Sequence, residues 1–107
     1  ARYEKAKNEL EQALEVFNKT EKDLKDARQD KEQSDKELSL AEKTLAQKND
    51  VKVKTPEAQA ILDKAMDDLV ESTKENETAQ KAVRDLDADI KVKEANLKTA
   101  KDILSAS

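Results

Sequence analysis

Asp85, Asp87 and Asp89 come nearest to a site for chemistry in this chain, because carboxylates at alternate positions open the loops that ligate calcium. A calcium loop needs a glycine to turn it, and the chain has none; the apolar period instead runs straight through Leu86 and Ile90. On a helix the three side chains fan apart, so the segment reads as a solvated acidic face and no metal ligand is assigned. Covalent and acid–base catalysis fare no better. Histidine and cysteine are both absent, and Tyr3, the one tyrosine, sits on an apolar seam. Carboxylates are plentiful, but a thin helical chain offers no pocket to tune a pair of them. The chain is read as no enzyme, with no catalytic residue and no cofactor.

Charged residues make up 43% of the chain and hydrophobic ones only 36%, with Tyr3 and Phe17 the only aromatics, so a thick core is not expected. Alanine, glutamate, lysine and leucine, all strong helix formers, dominate together with aspartate, and the one proline is Pro56. A net charge of −4, with arginine only at Arg2, Arg28 and Arg84, makes nucleic acid a poor partner. No apolar run approaches the ~20 residues of a membrane span, and the apolar stripe is too narrow for adsorption to a bilayer surface, so no membrane insertion is expected. Without cysteine, the redox compartment is not legible. The chain begins at Ala1 and is read as a fragment of a larger protein.

Such a composition could also be disordered, but disordered chains lack periodic apolar residues. Here the period is seven. From Tyr3 a ladder climbs through Leu10, Phe17, Leu24, Lys31, Leu38 and Leu45, and three residues after each rung stands a small or polar one: Ala6, Ala13, Thr20, Ala27, Ser34, Ala41 and Lys48. A second ladder runs Leu62, Leu69, Asn76, Val83, Ile90, Leu97 and Leu104, with Ala65, Ser72, Ala79, Leu86, Lys93, Ala100 and Ser107 three residues after each rung. Thr55-Pro56 separates the two, an N-cap hydroxyl followed by proline at the first helical position.

These patterns predict an all-α fold: two long helices in an antiparallel coiled-coil hairpin with alternating large (Leu) and small (Ala/Ser) layers, over residues 1–107. Helix 1 is expected at about 2–48, the turn at about 49–55 and helix 2 at about 56–105, each arm on the order of 70 Å long at ~1.5 Å per residue. Folding at the turn sets Leu45 opposite Leu62, Leu38 opposite Leu69, Leu24 opposite Val83, Phe17 opposite Ile90 and Leu10 opposite Leu97. It also makes the two polar breaks coincide: Lys31 meets Asn76, and Ser34 meets Ser72. A heptad slip would bury each break against leucine, so the layer is expected to pin the register. A three-helix bundle would need breaks near 28–36 and 72–78, which are polar but hold neither glycine nor proline.

Apolar residues off the ladders cluster near the turn (Leu40, Ile61, Met66 and Val70) and toward the open end (Leu14, Val16, Val92 and Ile103). Either they broaden the contact between the helices, or they form a partner face for a second copy, as in a homodimer, or for flanking chain. Val51 and Val53 at the turn are expected to cap the end of the core rather than to bind a partner.

Runs such as Glu21-Lys22-Asp23-Leu24-Lys25-Asp26-Ala27 and Lys91-Val92-Lys93-Glu94-Ala95-Asn96-Leu97-Lys98 resemble the coiled-coil stalks of Gram-positive cell-wall-anchored surface proteins: antigen I/II, pneumococcal surface protein A and M-like proteins. The resemblance covers the whole chain and is one of style, since no wall-anchor motif, choline-binding repeat or proline-rich tract accompanies it. It implies a cell-surface segment, anchored to the wall through its parent protein, that projects an adhesive domain or binds a host protein along a helix face. The alternative is a cytoplasmic coiled-coil arm of a larger assembly, as in chromosome-maintenance ATPases or chaperone-like machines.

Overall fold

A computed structural model describes residues 1–52 and 55–107. The fold is an all-α helical hairpin: α1 spans Arg2–Asn49, α2 spans Pro56–Ser105, and the two pack against each other. Both helices run unbroken through 28–36 and 72–78, where a three-helix arrangement would need turns. Helix formers without glycine or proline hold the backbone there even though the apolar ladder is interrupted.

The start of α2 is set by its cap. Thr55 Oγ1 accepts the Ala58 amide at 3.0 Å, its carbonyl accepts the Gln59 amide at 2.9 Å, and Pro56 occupies the position where a missing N–H costs nothing. Along the exposed faces, lysines and acids pair four residues apart, as in Lys19 with Asp23 at 3.0 Å and Lys64 with Asp68 at 3.3 Å. Each such pair contributes about 0.3–0.5 kcal/mol, so these faces support the helices without deciding the fold.

The hairpin divides into two compact units. One joins Ala1–Ala27 to Ala82–Ser107, and the other is Arg28–Lys81. In the first, Ala6, Thr20, Leu24, Ala27, Leu97 and Ala100 are buried, while Leu10, Phe17, Val83 and Ile90 are half-buried. In the second, Leu62, Ala65, Ser34 and Asn76 are buried and Leu38, Leu45, Leu69 and Ser72 half-buried. Small residues share the buried positions with Leu24, Leu62 and Leu97, while other large ladder residues such as Leu10, Phe17, Leu38 and Leu45 stay half-buried, because a two-helix contact has no third wall to cover their tips. Tyr3, at the outer end of its ladder, stays 58% exposed.

Candidate interaction surface

Within the second unit the interior is polar at one level. Asn76, only 4% exposed, donates from Nδ2 to Ser34 Oγ at 3.2 Å and to Asp35 Oδ1 at 2.7 Å. Its own Oδ1 accepts Gln80 Nε2 at 2.6 Å. The amide therefore spends both N–H groups and its oxygen inside the hairpin, as a buried side-chain amide must if its desolvation is to be offset.

Lys31, set directly opposite Asn76 by the ladder arithmetic, joins this layer at one remove. Its Nζ lies 2.8 Å from Asp35 Oδ2, so one carboxylate receives the lysine from its own helix and the asparagine from the other. Asn76 thus bonds to Ser34 and Asp35, one turn nearer the bend than Lys31. This corrects the expected pairing: the hydrogen bond of Ser34 runs to Asn76, where the ladder arithmetic set Ser34 opposite Ser72 and Lys31 opposite Asn76, so the facing residues are offset by about one helical turn from that arithmetic. Ser72 borders a groove beside Glu37 and Ala41.

Hydrogen bonds from Lys31 and then from Asn76 hold the Asp35 carboxyl below the ordinary aspartate range, against a smaller opposing effect of burial. Asp35 and Gln80 lie off both ladders, so the heptad period does not mark them as members of the layer. The available signal is spacing, since each stands four residues after a ladder residue, Lys31 and Asn76 respectively.

Leu40, Ile61, Met66 and Val70 are 65%, 50%, 50% and 54% exposed, so they do not broaden the helix contact. Nor do they share one face. At ~100° per residue, Ile61 lies to one side of the α2 ladder and Met66 and Val70 to the other. Leu40 lines a groove with Ala41 and Ala65, rimmed by Glu37, Asp68, Glu71 and Glu75.

In the first unit, Val16 and Ile103 line a groove with Ala13 and Ala100, bordered by Glu9 and Lys93. A separate groove holds Phe17, Ala95 and Leu97 among Lys91, Lys98 and Lys101. Leu14 is 45% and Val92 54% exposed.

Two expectations change in detail. Val51 is 44% exposed and does not cap the core, while Val53 lies outside the described residues. The acidic triplet is less solvated than its sequence suggests: Asp87 and Asp89 are half-buried, and Asp89 sits 3.4 Å from the Lys93 ammonium. Among the described residues, no helix is long and apolar enough to cross a membrane. Compared with protein-family models, curated proteins and solved structures, the chain matches none.

Proposed function

We propose that the chain is a non-enzymatic interaction or spacer module, part of a bacterial surface adhesin that projects an adhesive domain or binds a host protein. The observation that carries the reading is the division of labour among its apolar residues. Ladder residues and the Asn76 layer hold the helices together, while Leu40, Ile61, Met66 and Val70 stay at least half exposed. Exposed apolar side chains on a lysine- and acid-rich helix suit a protein partner, and the stalk-like runs around Leu24 and Leu97 favour the cell surface.

The test uses cells that make the parent protein. Antibodies raised against this segment are expected to label intact cells, and the purified chain to bind immobilised plasma or salivary proteins if it is itself adhesive. Labelling only after permeabilisation would overturn the surface assignment and support the intracellular arm.

A further inference from the structure

We infer that the chain associates with copies of itself, the lysine-bordered strip of one molecule's first unit seating in the acid-bordered groove of another molecule's second unit. The groove has an apolar floor of Leu40, Ala41 and Ala65, and its charged lining is wholly acidic: Glu37, Asp68, Glu71 and Glu75. Among the described residues, Leu40 is the most exposed of the large apolar ones, at 65%. The strip has the matching apolar floor of Phe17, Ala95 and Leu97, with Lys91, Lys98 and Lys101 around it against the single acid Glu94.

Lysine stems lie along apolar surface and carry their ammonium groups to its edge, where carboxylates of the groove would meet them. Lys98 already rests 3.1 Å from Asp102, exposed, and a pair of that kind is weak enough to exchange partners. By contrast, the Val16–Ile103 groove is bordered by one charge of each sign, Glu9 and Lys93, and selects no occupant.

The contact is heterologous: the groove of one molecule takes the strip of another, so assembly closes into a ring where the rotation between copies allows it and otherwise extends as an open chain. It is also independent of the surface-spacer reading. A chain that stayed monomeric would lose this contact and leave that reading to the cell-labelling experiment.

Sedimentation of the whole chain over a concentration series tests it. At low ionic strength the mean mass is expected to rise at least twofold with concentration, and to return to monomer near ~1 M salt, where the screening length shrinks to ~3 Å. The variants Glu71→Lys with Glu75→Lys, and Lys91→Glu with Lys101→Glu, should each stay monomeric. Mixed together they should associate, because the native strip of one fits the native groove of the other and the reversed pair is complementary too. Circular dichroism checks that each is helical; if a reversal unfolds the chain, Glu71→Gln with Glu75→Gln carries the same test and should weaken association. A wild type that is monomeric throughout, association that survives ~1 M salt or the acid-side substitutions, or a mixture that stays monomeric would overturn the proposal.

Discussion

Asn76 is the residue on which the most depends, because it is buried and polar at once. Replacing it with alanine strands Ser34 Oγ in the interior and opens a void, and should cost about 1–3 kcal/mol in denaturant unfolding. Replacing Asn76 and Lys31 together with leucine should act the other way. The layer becomes apolar, the melting temperature rises, and the chain gains access to other registers or association states. An unchanged melting temperature in that double variant would show that the layer contributes nothing by being polar.

Asp35 gives the same layer a pH dependence. Its folded-state pKa is depressed, so the stability it adds is fully present above the ordinary aspartate pKa and disappears as pH falls through the lower folded value. With so many other carboxylates titrating, the reading must be a difference. Asp35→Asn should be less stable than wild type at neutral pH, and the two should converge at the acid end. A gap that widens on acidification would reverse the sign and refute the assignment.

At the scale of the helices, burial separates residues that look alike in sequence. Leu24 and Leu97, 6% and 8% exposed, should each cost about 2–3 kcal/mol when cut to alanine, the low end of core values because a two-helix contact collapses easily. Leu40→Ala, at a 65% exposed site, should stay within about 0.5 kcal/mol in a dilute sample. Removing the Thr55 hydroxyl with alanine should cost about 1 kcal/mol, since the Ala58 amide loses its acceptor. Thermal or denaturant unfolding of these variants checks each value.

Both helices and the start of α2 are legible in the sequence, and for a physical reason. A period of seven in leucine is a geometric statement about one helix face, and Thr55-Pro56 is a statement about one backbone position. Both are local. What the sequence hides is lateral: Asp35 and Gln80 matter because of what they reach across or along the helix, and Tyr3 is exposed because its ladder runs out of neighbours. The division of Leu40, Ile61, Met66 and Val70 onto different sides needs the angle around α2 as well as the spacing along it.

At the scale of the whole molecule, the polar layer and the grooves alike depend on the register in which α1 and α2 pack within each unit. No described large side chain is completely enclosed, so burial alone discriminates weakly between registers, and the Asn76 hydrogen bonds must do so instead. The grooves that frame the self-association are built from both helices, and would be dismantled by a slip of one heptad, which moves the facing residues by ~10 Å.

The most direct test of that register carries the Ser34–Asn76 contact one heptad toward the turn, where the equivalent positions are Ala41 and Leu69. Cysteines placed at Ala41 and Leu69 should oxidise to an intramolecular disulfide in dilute solution, since a bridge forms only when the Cα atoms come within ~7 Å. Cysteines at Ala41 and Leu62, one heptad out of step, should remain reduced. Efficient bridging of the second pair and not the first would contradict this pairing of α1 with α2.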